Sequence, residues 1–369
     1  MPRYSSRSIS TCIRSSIAST NQQQETKQQL LPLDDDPSIT IKSYKHKSWN
    51  LSYFYKPPSP GYESQPPIVF VHPVGVGLSS WFWLKTMREY GNQGEGGGVE
   101  GGNPAMYAVD LIGCGLEHNS DKWDPQEEGL FFPLSWVEGV ETLIQNIVLP
   151  EYYDASKSKS EPIWKNILGK NNNDTSSSNQ SRNGCTVVVQ GGLASVGIML
   201  ASRNNPTSVV SKLILTSPPK YDDMITPVPQ KELETNYNFL SSPLWGNLAF
   251  SVLESRPIIR LFSDLFLFSD KCDEMWLDYT MNGASFKESR TPVISFNAGL
   301  LSHRSFEDEM VSLDQEVLIV CGKDDKRTSD RMMYCTEMKD CRIEVLDGCN
   351  VVPWENERDF VKLIKEFQS

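Results

Sequence analysis

Few side chains in this chain of 369 residues could carry proton transfer or nucleophilic attack, since it holds only four histidines. The segment VVVQGGLASVGIMLA, Val187 to Ala201, reads as an apolar strand, a tight turn at Gln190-Gly191-Gly192-Leu193, and a helix. Such a turn aims backbone N–H groups at whatever lies beyond the strand, and the helix start favours negative charge there. The nearest hydroxyl is Ser195. Farther along, Asp325 offers a carboxylate, Cys349 a thiol beside Asn350, and His303 an imidazole. A hydroxyl or thiol attacks only when a base takes its proton, and no histidine neighbours Ser195 or Cys349 in sequence. Ser195 therefore reads first as a helix serine packed on the strand, and Cys349 as a structural thiol. His72, just past the apolar run Ile68-Val69-Phe70-Val71, suits fixing a loop better than acting as a base. His303 reads first as a surface or capping residue.

These residues need a frame to bring them together. Short apolar runs at 68–71, 106–110, 187–189, 212–216, 316–321 and 342–346 predict buried strands, and Ser48–Tyr55 predicts an edge strand. Trp136–Val148 and Glu355–Phe367 have amphipathic helical spacing. Strands alternating with helices imply a mostly parallel sheet covered on both faces. Residues 219–313 show helical periodicity, many aromatics and no strand-like alternation, so they are expected to be a helical insertion over the carboxyl edge of the sheet. That edge is where open α/β sheets bind ligands. The core is then expected in two parts, 48–218 and 314–369. Gly-rich 91–104 and Lys/Ser/Asn-rich 155–183 are expected to be disordered insertions.

Composition closes off several classes. A net charge of −12 argues against nucleic acid as a partner, which needs a clustered basic face. No apolar run is long enough to span a bilayer. Eight cysteines without C-x-x-C spacing suggest neither a zinc site nor a disulfide framework, and no cofactor motif stands out. Residues 1–40 carry Arg3, Arg7 and Arg14 among many serines, with no acidic residue before Glu25. That composition fits a disordered organelle transit peptide.

Four segments in order resemble the α/β-hydrolase superfamily, of the AB hydrolase-1 type. They are Phe70-Val71-His72-Pro73-Val74-Gly75-Val76-Gly77, Asp110-Leu111-Ile112-Gly113-Cys114-Gly115, the turn at Gln190–Leu193, and the pair Cys321–Asp325 and Asp347–Glu355. The resemblance implies an α/β-hydrolase fold whose insertion is a lid. It also implies a Ser-His-Asp triad, with a serine at the turn, a histidine near the C-terminus and an acid after the penultimate strand. Carried onto this chain, Gly192 stands where the serine belongs, Asn350 where the histidine belongs, and only Asp325 keeps its type. Glycine attacks nothing and a neutral amide takes no proton near pH 7. The resemblance places oxyanion N–H groups at Val74 and Leu193, and makes His72 and Gln190 their neighbours at the binding site.

The His72–Ser79 loop, Gln190-Gly191 and Phe296-Asn297-Ala298-Gly299 are similar to a subgroup from cyanobacteria and plastid-bearing organisms. This directs the N-terminus to a plastid, with mitochondrion or cytoplasm as alternatives. The expected function is non-hydrolytic binding of a small apolar or carbonyl-bearing ligand, or of a protein partner. The alternative is an esterase, other hydrolase or lyase with a rewired site using Ser195, Cys349 or His303.

Overall fold

The computed structural model describes residues 36–91, 102–115, 123–159, 184–203 and 208–369. Residues 1–35 of the expected targeting segment 1–40 and most of the two expected disordered insertions, 91–104 and 155–183, lie outside these residues, and Thr40 already belongs to a strand. The segment from Ser38 to Ser369 forms one compact unit.

Its sheet has eight strands in the order β1-β2-β4-β3-β5-β6-β7-β8. These are β1 Thr40–His46, β2 Trp49–Lys56, β3 Ile68–Val71, β4 Met106–Val109, β5 Cys185–Gln190, β6 Val210–Thr216, β7 Glu316–Gly322 and β8 Cys341–Leu346. The pairs β1·β2 and β2·β4 are antiparallel, and every pair from β4 to β8 is parallel. The runs IVFV and MYAV are buried at every position, as strands covered on both faces must be.

Two edges differ from expectation. Trp49–Lys56 is an interior strand, because TIKSYKH adds β1 outside it; β1 is mostly exposed, and its polar sequence gave no apolar alternation to read. Arg342–Leu346, expected to be buried, forms the opposite edge, with side chains only partly covered. Edge strands need cover on one face alone.

Helices flank the core strands: α1 Leu84–Glu89, α2 Leu134–Leu143, α3 Leu149–Lys159 and α4 Ala194–Ser202. A π-helical turn at Ile144–Val148 joins α2 to α3, and α3 runs five residues into the segment expected to be a loop from residue 155. Between β6 and β7 stand only helices and turns: α5 Tyr221–Ile225, α6 Gln230–Leu240, α7 Trp245–Leu253, α8 Arg256–Phe266, α9 Glu274–Ala284, α10 Arg290–Ala298 and α11 Glu307–Ser312. After β7 come α12 Tyr334–Glu337, α13 Val352–Glu355 and α14 Glu357–Gln368.

The inserted helices are stitched to the core at α9. Asp273 caps it by accepting from the Trp276 backbone N–H at 2.6 Å, and its carboxylate also takes Lys85 Nζ at 2.7 Å and Trp354 Nε1 at 3.0 Å. Around this cap, Trp81, Trp276 and Trp354 pack edge to face with ring centres 5.3–5.4 Å apart. Gly77 completes the seam. At φ +67°, a Cβ there would lie 2.0 Å from the Thr280 carbonyl oxygen, so only glycine lets the loop after β3 meet α9.

Among the described residues no helix is long and apolar enough to cross a membrane. Likewise, no group of three or more His, Cys, Asp or Glu could hold a metal ion.

Candidate functional site

A cavity of about 1660 Å³ opens between the carboxyl ends of β3, β5, β6 and β7 and the inserted helices. Its floor includes Val74, Gln190, Gly191, Gly192, Ser217, Asp325, Arg327, Cys349 and Asn350. The roof is apolar, with Trp245, Leu248 and Val252 from α7 and Phe262, Leu265 and Phe266 from α8.

β5 ends at Gln190, and the chain turns through Gly191–Leu193 into α4. Sequence spacing places the tip at Gly192, but the residue with positive φ is Gly191, at +64°. The two glycines also differ in surroundings. A Cβ on Gly191 would meet nothing within 4 Å, whereas one on Gly192 would fall 2.2 Å from Phe296 Cε2 and 2.7 Å from Cζ. The Phe296 ring of α10 thus fills the space beside Gly192, and the space beside Gly191 stays open to the cavity.

Gln190 is buried and fully engaged. Its amide nitrogen donates to the Asn350 carbonyl at 2.9 Å, and its amide oxygen accepts from the Thr216 hydroxyl. Asn350 in turn reaches Asp325, donating from Nδ2 to Oδ2 at 3.3 Å, and its backbone N–H donates to the Leu267 carbonyl at 2.9 Å. Three elements distant in sequence therefore meet at one polar knot. The same Asp325 carboxylate takes Arg327 Nε at 3.1 Å and the fully buried Arg331 Nη1 at 2.9 Å. Burial alone would raise the pKa of this carboxyl. The hydrogen bonds from Arg327 and the charge of Arg331 outweigh that and hold it well below the usual carboxylate range. Arg331 is itself anchored to the Pro218 carbonyl at 2.5 Å.

The other candidates separate from this knot. His72 is wholly buried and does not line the cavity. Its Nδ1 donates to the Pro73 carbonyl at 2.7 Å and its Nε2 accepts from the Leu111 N–H at 3.2 Å, an arrangement only the neutral ring can make. Burial lowers its pKa in keeping with that role. Asp110 likewise holds loops, accepting from Ser52 Oγ at 2.6 Å and the Ser80 N–H at 2.9 Å. Ser195, in the first turn of α4, and Leu193, just before it, are both buried and neither lines the cavity, while Gly192 does. His303 packs against Phe131, ring centres 5.3 Å apart, away from the cavity lining. Cys349 does line it, but burial pushes its thiol pKa up, with Asp325 adding to the effect. No histidine is among the described residues that line the cavity.

Sequence reasoning missed Arg331 and Ser217, and it named Phe296 only within a run of resemblance, without its place beside Gly192. Arg331 and Phe296 carry no local signal, since each acts across a long separation in sequence. Ser217 could have been suspected from Ser-Pro-Pro at the end of β6, where the chain must turn sharply.

The sheet order and the inserted helices define the α/β-hydrolase fold, and solved structures agree. The chain is similar to a serine hydrolase, CCSP0084, from Cycloclasticus zankles, at 14% identity over 89% of this chain and 97% of that one, with a TM-score of 0.56. It is also similar to the haloalkane dehalogenase DbeA-M1 loop variant from Bradyrhizobium elkanii, at 13% identity over 90% and 97%, TM-score 0.57. A third likeness is the enol-lactonase from Burkholderia xenovorans LB400, at 13% identity over 88% and 99%, TM-score 0.54. No protein-family model and no curated protein matches the sequence. At such identities the likeness establishes the fold, and function has to be argued from the site.

Proposed function

We propose that this protein is a non-hydrolytic member of the α/β-hydrolase superfamily that binds an apolar or carbonyl-bearing ligand beneath a helical lid formed by α5–α11. In this reading Gly191, rather than Gly192, takes the nucleophile's place. Positive φ is the strained conformation that a nucleophile elbow imposes on its central residue, and Gly191 is the residue that adopts it. One observation carries the proposal above the others: the Asp325–Asn350 pair lies at the cavity floor with an amide where proton transfer needs a base. Asp325 is already neutralised by two arginines, so it is spent on structure. With Gly191 in the nucleophile's place, the backbone N–H groups suited to a ligand oxygen are those of Val74 and Gly192, both at the cavity wall.

The rewired-enzyme alternative draws little from the candidates considered for it. Ser195 lies outside the cavity lining, His303 packs elsewhere, and the Cys349 thiol is held protonated. The discriminating experiment treats the intact protein with a fluorophosphonate probe and an ester panel. No labelling and no turnover are expected. Labelling at Ser195, or ester cleavage by the unmodified chain, overturns the proposal. The double variant Gly191→Ser, Asn350→His is expected to gain fluorophosphonate labelling, because the first change faces open space and the second sits against Asp325. Plastid delivery is a further proposal, resting on the composition of residues 1–40 for an organelle and on the subgroup resemblance for the plastid; a fluorescent fusion of that segment that stays in the cytoplasm or enters mitochondria refutes it.

A further inference from the structure

We infer that the cavity takes an uncharged amphiphile: a long hydrocarbon chain against α7 and α8, and a non-ionised, oxygen-bearing head hydrogen-bonded by Ser217 and Thr280. This rests on the ligand-binding reading above and names the class of ligand.

The head site is built from two hydroxyls. Ser217 lines the cavity at the end of β6, is 2% exposed, and its hydroxyl has no hydrogen-bond partner among the described residues. It also stands at φ +43°, a left-handed conformation that a serine adopts only at a cost. The chain holds it there. Its N–H donates to the Val320 carbonyl at 2.8 Å, and the carbonyls of Pro218 and Pro219 accept from Arg331 and from the Tyr334 hydroxyl. A buried hydroxyl that pairs with nothing has given up water for no return, and such groups call for an explanation. Thr280 of α9 repeats the pattern: it lines the same cavity, is 3% exposed, and its hydroxyl has no partner among the described residues. Gly77 packs against the Thr280 carbonyl and so fixes where that hydroxyl stands.

Charge selects the kind of head. Asp222, Asp223, Asp324 and Asp325 line the cavity with Lys326 and Arg327, and with the buried Arg331 behind Asp325 this end keeps a surplus of one negative charge. A carboxylate or phosphate entering this end would meet like charge, whereas a hydroxyl, carbonyl or ester would not. The roof selects the tail. Trp245, Leu248, Val252, Phe262, Leu265 and Phe266 line the cavity, yet each leaves more than half its surface exposed. A contiguous apolar wall of this kind marks a ligand site. The volume of about 1660 Å³ exceeds the roughly 300–1,000 Å³ of an ordinary small-molecule pocket, which leaves room for a long chain.

The test compares 1-monooleoylglycerol with oleate at pH 8, where oleate is ionised. Binding to the full chain is read by tryptophan fluorescence below the lipids' aggregation concentrations, and the bound lipid is recovered by mass spectrometry. Monooleoylglycerol is expected to bind about tenfold tighter than oleate. Ser217→Gly, which removes the hydroxyl and suits positive φ, and Thr280→Val are each expected to weaken monooleoylglycerol about five- to tenfold. Equal or tighter binding of oleate overturns the inference, and so does unchanged affinity in both variants. If neither lipid binds, the inference fails while the non-hydrolytic reading stands. If the ester is recovered cleaved, the non-hydrolytic reading fails, and the preference is then measured with oleyl alcohol, which has no ester to lose.

Discussion

At the floor of the cavity most polar side chains are tied to one another, while α7 and α8 present large apolar side chains that are mostly exposed. Gln190, Asn350, Asp325, Arg327 and Arg331 form a continuous set of hydrogen bonds and ion pairs. Trp245, Leu248, Leu265 and Phe266 are mostly exposed. In a folded protein the usual arrangement is the reverse, with apolar groups inward and unpaired polar groups reserved for chemistry. The difference teaches that the floor residues Gln190, Asn350 and Asp325 already satisfy one another, while the roof leaves apolar surface uncovered.

The largest expected effect breaks the floor. Arg331→Leu removes a fully buried partner of Asp325 and should cost about 1.5–3 kcal/mol in urea unfolding, the worth of a hydrogen bond to a charged group, since Arg327 still holds the carboxylate. The same pair sets an acid limb. Asp325 is depressed below its unfolded value of roughly 4, so its contribution is complete above that value and is lost as pH falls through the folded pKa. Stability of Asp325→Asn measured from pH 6 down to pH 2 should therefore fall less steeply than that of the parent; parallel curves would refute the assignment.

Intermediate effects test the joint between floor and roof. Gly77→Ala drives a Cβ into the Thr280 carbonyl, and overpacking of that kind costs about 1–3 kcal/mol. Of the adjacent glycines, Gly192→Ser should destabilise more than Gly191→Ser, and adding Phe296→Leu should recover part of the loss only in the first. Equal melting temperatures for the two serine variants would remove the distinction between them. The smallest effect lies in the roof: Leu265→Ser should change stability by less than about 0.5 kcal/mol while weakening lipid binding.

Most of the fold could be read from the sequence, because a doubly covered strand must be apolar throughout and such runs are hard to mistake. What escaped were β1, whose mostly exposed polar sequence gives no apolar signal, and the edge position of β8, a strand read correctly but expected to be buried. The turn at Gln190–Leu193 was legible as a turn, but not the glycine that bends it. Neither Gly191 nor Gly192 has a side chain to declare its direction, and the choice depends on a Phe296 ring more than a hundred residues away. The link from Asn350 to Asp325 could be anticipated from resemblance. The arginines that hold Asp325 could not, since a surface loop such as Lys326-Arg327 and a buried Arg331 look alike in sequence.

The bond from the Asn350 N–H to the Leu267 carbonyl has a mechanical side. Leu267 directly follows α8, so the trailing end of that helix is pinned to the loop bearing Asn350. Its leading end is held differently, by Arg256 paired with Glu274 and Asp278 of α9 at 2.6 Å each. That helix is therefore tied at both ends, to the polar floor through Leu267 and to the neighbouring inserted helix through Arg256.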